Sequence, residues 1–418
     1  ILFLLTVSLN MSLAQTSPAF KIKISTNNPN GIFATGQTIS LFAEISNNNE
    51  TKSRGQLTWT IETDEKEILR KTNAEFWVEA GQIKQHYCPT VDITKAGFYR
   101  FRCTYRHEGE SYWNNTTIGY DPDSIHATST AEHDFDSFWI RALAELNSID
   151  PEHRIIPQPD KSSQKRDVYL IEVKSVGNLT VRGWLEVPKK EGIYPALLRL
   201  PGYGSAMWPV DKYDDMIIFS FNPREHGNSD KAPGGPQGLW VRGLDDKENY
   251  YYRGAYLDSI RAMDYLASRH DVDTRQVAVW GGSQGGGLSF ATAAFDQRVR
   301  YCIADVPFLC DWNKYFKTTH WDEIDMWIAQ KPEIRNWASM LKTLSYFDTM
   351  NLAAKINAEI LMRAGLQDPI CPPATCFATY NQIKSEKSWL VYRDSGHSLG
   401  KEHWQYGFDW LRSRFRLK

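Results

Sequence analysis

The sequence predicts a chain of the α/β class built in two units: a mostly parallel sheet with helices on both faces, preceded by a small all-β sandwich. Three observations predict it. From Val168 onward the apolar runs VYLIEVKS, VRGWLEVP, LLRLPG, MIIFSF, QVAVWG, YCIADVP, EILMRAG and SWLVYRD are separated, over most of the later stretch, by segments of helical period. Strand and helix in alternation make a sheet wrapped by helices. Residues 16–121 carry a different pattern, with alternating β-formers in FKIKIST, TISLFAEIS, QLTWTIE and GFYRFRCTYR set between Asn, Gly and Thr clusters. The third observation is length, since 418 residues exceed what one hydrophobic core usually organises.

Each element follows in order. The opening ILFLLTVSL is apolar but shorter than the roughly 20 residues a spanning helix needs, and Ser12-Leu13-Ala14 offers small residues to a signal peptidase. A signal peptide over residues 1–14 is expected, and with it a secreted or periplasmic protein. In the first unit, KAGFYRFRCTY has a turn glycine followed by strict alternation, the pattern of a late strand in an immunoglobulin-like sandwich. A polar connector at Asp121-Pro122-Asp123 ends it. The second unit, residues 122–418, begins with a helix that puts Phe135, Phe138, Trp139, Leu143 and Leu146 on one face.

Composition narrows the function. A formal net charge of -2, from 48 basic and 50 acidic residues, leaves no field that would hold nucleic acid or anionic lipid. No later segment approaches 18 uncharged apolar residues, so no membrane partner is expected. Six cysteines in a chain this large do not make a disulfide scaffold. Cys88 and Cys103 sit on neighbouring candidate strands where a bridge is compatible with export. Cys302, Cys310, Cys371 and Cys376 read as buried thiols, because no spaced histidines accompany them as in a zinc site. No cofactor or metal is expected.

The sharpest local feature is QVAVWGGSQGGGLSFATAAF, a short apolar strand running into Gly281-Gly282-Ser283-Gln284-Gly285 and then an Ala-rich helix. Such a turn requires glycine two positions before and after the serine, and it presents the hydroxyl at the carboxyl edge of the sheet. Strand, elbow and helix together define the α/β-hydrolase fold. A serine hydroxyl is a weak nucleophile and needs a base, itself oriented by a carboxylate; in this fold the chain order is Ser, acid, His. Of ten histidines, His320, His397 and His403 follow Ser283. His397 lies in the loop after SWLVYRD and before a helix expected over 403–415, where the last strand delivers a base. His320 falls in an aromatic insertion and His403 opens the last helix. For the acid, Asp368 ends the strand EILMRAG one strand before the histidine, whereas Asp305 reads as a loop-capping carboxylate and Asp394 merely lies near the base. Oxyanion donors are expected at the amides of Gln284 and of Tyr203, the latter flanked by Gly202 and Gly204.

These residues, together with ADVPFLC, LSYFDTMNLAAKI, GLQDPICPPATCFATYN and the PGYG turn in the same order, resemble the cephalosporin C deacetylase and acetyl xylan esterase group, carbohydrate esterase family seven. The resemblance runs from about Phe135 to the carboxyl end. It implies deacetylation of small acetylated carbohydrates, especially xylo-oligosaccharides, with Ser283, Asp368 and His397 as triad and Tyr203 and Gln284 as oxyanion donors. The chain departs from the family pattern at Arg224-Glu225-His226-Gly227, where members usually have Arg-Gly-Gln, and after His397, where Ser398-Leu399-Gly400 replaces Glu-Gly-Gly. The family's ring-like hexamer leaves a homo-oligomer open, but the front unit is not typical of members and oligomeric state is not carried over.

An insertion at 308–350, rich in aromatics such as Trp312, Tyr315, Phe316, Trp321, Trp327 and Trp337, is expected to form a lid that limits acyl length. Three alternatives share the fold: an esterase for another polysaccharide ester, a peptidase of prolyl-oligopeptidase type, and a catalytically silent carbohydrate-binding protein. The three triad residue types at their expected places argue against the last.

Overall fold

The computed structural model describes residues 18–231 and 238–417. Residues 1–14, where the signal peptide is expected, lie outside the described residues. Among the described residues no helix is long and apolar enough to cross a membrane.

The front of the chain forms eight strands: β1 (Phe20–Thr26), β2 (Ile32–Phe33), β3 (Leu41–Asn47), β4 (Ser53–Thr63), β5 (Ile68–Val78), β6 (Ile83–Tyr87), β7 (Gly97–His107) and β8 (Glu110–Tyr120). They make a three-stranded sheet, β1-β3-β6, and a five-stranded sheet, β2-β8-β7-β4-β5. Alternation decides what is buried. Ile22, Ile24, Ala43 and Ile45 from one sheet meet Leu57, Trp59, Ile61, Phe101 and Cys103 from the other in a single core. Cys88 and Cys103 are both free, so they form no bridge, and burial pushes both thiols up to about 12.

The remainder is built on a nine-stranded sheet. Its strands are β9 (Arg154–Pro157), β10 (Arg166–Ser175), β11 (Leu179–Pro188), β12 (Tyr194–Leu200), β13 (Ile217–Asn222), β14 (Val272–Gly282), β15 (Val299–Asp305), β16 (Glu359–Gly365) and β17 (Lys387–Tyr392). Their order is β17-β16-β15-β14-β12-β13-β11-β10-β9. From β17 to β13 every neighbouring pair is parallel, while β11, β10 and β9 continue antiparallel.

The parallel strands are apolar on both sides because helices cover both. On β12, β14 and β15, residues Leu198, Val279 and Cys302 face a large core shared with α1 (Phe135–Asn147), α2 (Tyr251–Ser268) and α3 (Gln284–Phe295). Their alternates Leu197, Ala278, Trp280 and Ile303 face a smaller core closed by Phe408, Trp410 and Leu411. The helices of the insertion follow β15: α4 (Trp312–Thr318), α5 (Asp322–Gln330), α6 (Trp337–Ser345) and α7 (Thr349–Leu352). After β16 comes α8 (Pro373–Gln382), and α9 (Glu402–Arg414), which supplies Phe408, Trp410 and Leu411, ends the chain one residue earlier at each end than its sequence pattern predicted.

The front strands touch the site-bearing loops directly. Gln367 Oε1 accepts from the Thr117 N–H at 2.8 Å, and its Nε2 donates to the Thr117 carbonyl at 3.1 Å and to the Arg393 carbonyl at 2.8 Å. Lys314 on α4 reaches Asp64 at 2.8 Å and Glu65 at 2.6 Å, in the turn between β4 and β5.

Candidate active site

Ser283 stands between β14 and α3 with φ 58° and ψ -120°, a left-handed backbone that a non-glycine residue adopts only where the surroundings enforce it. The enforcement is visible. The Ser283 N–H donates to the Asp305 carbonyl at 2.8 Å, and the Ser283 carbonyl accepts from Gly286, Gly287 and Phe308 at 2.9, 3.1 and 2.9 Å. A Cβ on Gly281 would fall 2.5 Å from the Gly285 carbonyl, and one on Gly285 would fall 2.4 Å from the Leu200 carbonyl oxygen. Both positions therefore admit only glycine, as the elbow's spacing demands. Ser283 also caps α3, whose amino end carries the positive pole of the helix.

Two strands away, the loops after β16 and β17 meet. His397 Nδ1 lies 2.9 Å from Asp368 Oδ2. The other oxygen of Asp368, Oδ1, accepts from the Ile370 and Cys371 amides at 2.8 and 3.0 Å, which pins the carboxylate. The Asp368 side chain is fully buried, whereas His397 remains a third exposed. Acceptors on Asp368 oblige His397 Nδ1 to carry the proton, leaving Nε2 bare and able to take one. The adjacent Gln367 amide donates to the Ser395 carbonyl at 2.9 Å, tying the loop of Asp368 to the loop of His397.

Ser283 and His397 line one pocket of about 220 Å³ with Gly202, Tyr203, Ser205, Trp240, Phe308, Trp321 and Ile370. Four of these residues, Tyr203, Trp240, Phe308 and Trp321, are aromatic. The Tyr203 hydroxyl accepts from the Leu239 amide at 2.8 Å, which ties its side chain to the chain just before Trp240. Gln284 is wholly buried behind Ser283. Of the insertion's aromatics, Trp321 reaches this pocket; its Nε1 donates to the Tyr315 hydroxyl at 2.7 Å, which in turn donates to the Ile370 carbonyl at 3.0 Å. Trp312 and Trp327 are buried in the helical packing, and Trp337 is exposed against Phe316.

The structure separates the competing residues. Asp305 does not cap a loop, contrary to expectation: it receives Arg363 Nε at 2.6 Å, Arg363 Nη2 at 2.8 Å and Trp280 Nε1 at 2.8 Å in a buried ion pair between in-register neighbours of β15 and β16. Asp394 is exposed beside Arg393. His320 is exposed and faces Asp325 and Asp322 at 3.0 and 3.4 Å. The imidazole of His403 turns back to the Gly400 carbonyl.

Sequence reasoning missed several neighbours. Trp240, Phe308 and Ile370 wall the pocket; aromatic richness hinted at the first two, Phe308 opening the 308–350 insertion, and nothing pointed to Ile370. Cys371, read as a plain buried thiol, lies beside Ser283 and Asp368, and burial holds it protonated well above the usual thiol range. Asp368, Cys371 and His397 offer potential ligand atoms within 4.8 Å of one another. With the thiol protonated and the imidazole already bonded to the carboxylate, this donor set suits proton transfer better than ion binding.

A parallel sheet carrying a strained serine elbow, followed by an acid and a histidine on the next strand ends, has the fold of the α/β hydrolases. The profile of the family "Acetyl xylan esterase (AXE1)" matches residues 123–413. The chain is 30% identical over 346 residues to the acetyl esterase Axe7A of Xylanibacter ruminicola, covering 78% of this chain and 76% of that protein. Among solved structures, an acetyl xylan esterase from Paenibacillus sp. R4 is similar at 32% identity and TM-score 0.66, over 70% of this chain and 98% of that one. Acetyl xylan esterase 1 from Thermoanaerobacterium sp. JW/SL YS485 is similar at 29% identity and TM-score 0.65, over 70% and 97%. The chain belongs to the acetyl xylan esterase family and is a carboxylic ester hydrolase.

Proposed function

We propose that the protein removes acetyl groups from acetylated xylo-oligosaccharides or related small acetylated carbohydrates, using Ser283 as nucleophile, His397 as base and Asp368 as the carboxylate that orients it. The observation that carries this reading is one pocket holding Ser283 and His397, with the histidine's far nitrogen bonded to Asp368 at 2.9 Å. Ser283 Oγ attacks the acetyl carbonyl while His397 Nε2 takes its proton. The same proton passes to the sugar oxygen as the ester bond breaks, and the acetyl-enzyme forms. Water, deprotonated by His397, then releases acetate and restores the serine. The oxyanion of each tetrahedral intermediate is received by the backbone amides of Gln284 and Tyr203, each worth on the order of 3 kcal/mol of barrier. A pocket of about 220 Å³ walled by Trp240, Phe308 and Trp321 suits a short acyl group. The expected export of the enzyme rests on the apolar run at residues 1–14 and belongs to the same proposal.

The test compares hydrolysis of 4-nitrophenyl acetate and of acetylated xylo-oligosaccharides by the wild type and by Ser283→Ala. Loss of both activities in the variant is expected. Survival of either one removes Ser283 from that reaction, and a wild type that leaves the oligosaccharides untouched moves the substrate to another ester.

A further inference from the structure

The departure from the family pattern at His226 lies directly behind the oxyanion site. His226 is 1% exposed. Its Nδ1 stands 3.0 Å from the Arg224 carbonyl, and its Nε2 stands 2.9 Å from the side-chain Nε2 of Gln284. The Tyr252 hydroxyl donates to Gln284 Oε1 at 2.9 Å from the other side. These contacts fix every proton in turn. The Arg224 carbonyl can only accept, so Nδ1 carries the hydrogen; Nε2 of the neutral ring is then bare, and the amide of Gln284 must present its N–H to it.

We propose that His226 is a positioning residue for the oxyanion site: as the neutral Nδ1–H tautomer it holds the side chain of Gln284, and protonation of its Nε2 releases that hold. The inference rests on Gln284 supplying a backbone donor, as read above. A protonated ring would set N–H against N–H across 2.9 Å. Gln284 must then rotate its amide, giving up its present orientation against Tyr252 and the Pro201 carbonyl, at the residue whose backbone N–H follows the nucleophile.

The surroundings favour the neutral ring. Burial is the largest influence on His226 and lowers its pKa, opposed by the Arg224 carbonyl and by the charges of Glu225 and Asp258. Both acids are themselves engaged. Glu225 pairs with Arg242 at 2.6 Å, and Asp258 on α2 holds Arg224 through Nε and Nη2, both at 2.8 Å. Tyr251, also on α2, puts its hydroxyl 3.2 Å from Nδ1 and donates to the same Arg224 carbonyl, while Gln284, bonded in turn by Tyr252, faces Nε2. The neutral form therefore prevails at and above neutral pH, and the hold on Gln284 is lost as pH falls through the lowered His226 pKa.

The experiment is the pH dependence of kcat and kcat/KM for 4-nitrophenyl acetate in the wild type, His226→Gln, His226→Leu and Ser283→Ala. Glutamine has no proton to gain, yet its carbonyl can accept from Gln284. In the wild type the acid limb of log kcat/KM steepens beyond one-proton dependence as His226 gains its proton, before resuming a one-proton slope about one log unit lower; in His226→Gln it stays at one proton throughout, and turnover near neutral pH is largely restored relative to His226→Leu. His226→Leu, which leaves the amide unpaired, loses on the order of tenfold in kcat with little change in KM. Identical acid limbs in the wild type and His226→Gln, or wild-type kcat in a folded His226→Leu, would overturn the proposal. If His226→Leu does not fold, the comparison of limbs decides alone. An inactive Ser283→Ala alongside a failed His226 result sinks only this inference, whereas an active Ser283→Ala sinks the site reading on which it rests.

Discussion

The carboxyl ends of β15 and β16 lie side by side, and each delivers an aspartate, Asp305 or Asp368, yet the two carboxylates live in opposite company. Asp305 meets a guanidinium on its in-register neighbour and an indole N–H, and all three side chains are buried. Asp368 leaves the sheet one turn later, accepts two backbone amides with one oxygen, and turns the other to an imidazole that is a third exposed. A buried carboxylate bound to arginine is compensated in place and has no proton to pass on, so it serves the sheet. A carboxylate bound to a histidine that still faces a pocket sets that histidine's tautomer, which is the arrangement the proposed proton transfer uses. Strand-end position alone does not distinguish them; the partner does.

The comparison breaks first under mutation of Asp368. Asp368→Asn, whose amide oxygen can still accept from the Ile370 and Cys371 N–H groups while its NH2 turns to His397 Nδ1, should lower kcat for 4-nitrophenyl acetate by roughly ten-thousand-fold with the far-UV spectrum and melting temperature little altered, because the wrong tautomer of His397 then prevails. A loss under tenfold would mean that another carboxylate does this work. Asp305→Ala should do the reverse. Removing one partner of a buried pair costs on the order of 3 kcal/mol, read as a melting temperature lower by several degrees, while the protein that remains folded keeps far more activity than the Asp368 variant. Equal melting temperatures for Asp305→Ala and the wild type would contradict the structural role. The smallest effect concerns the wall facing this chemistry. Trp321→Ala should raise butyryl relative to acetyl ester hydrolysis by a few fold, since it opens the pocket where a longer acyl chain would run. An unchanged ratio counts against the insertion as a limit on acyl length.

What could be read from the chain follows the same division. Ser283, with glycines at 281 and 285, is a pattern local in sequence, although the collision that bars a side chain at 285 is with Leu200, far back in the chain, and the proposed Asp368 and His397 were selected by chain order after strands that the apolar runs already outlined. All eight of those runs are strands in the sheet. The edge strand β9, with mostly exposed residues, gave no such signal, nor did β5 and β6, whose outward faces carry Lys, Asn and Gln. The role of Asp305 was misread because its partner, Arg363, lies 58 residues on, and only the order of β15 and β16 brings them together. Likewise the approach of His226 to Gln284 and the clasp of Gln367 on Thr117 join distant segments through sheet topology, which periodicity cannot supply. Family resemblance did mark position 226 as unusual, but not what the histidine touches.

Covalent trapping tests most directly whether Ser283 is the nucleophile. The full chain is treated with a phosphonofluoridate ester, digested and mapped by mass spectrometry, with residual esterase activity followed in parallel. A single phosphonyl adduct is expected on the peptide containing Ser283, growing in step with the loss of activity, and no adduct in Asp368→Ala over the same time. Inactivation with the adduct on any other residue, or an unlabelled Ser283 in inactivated protein, would contradict that role.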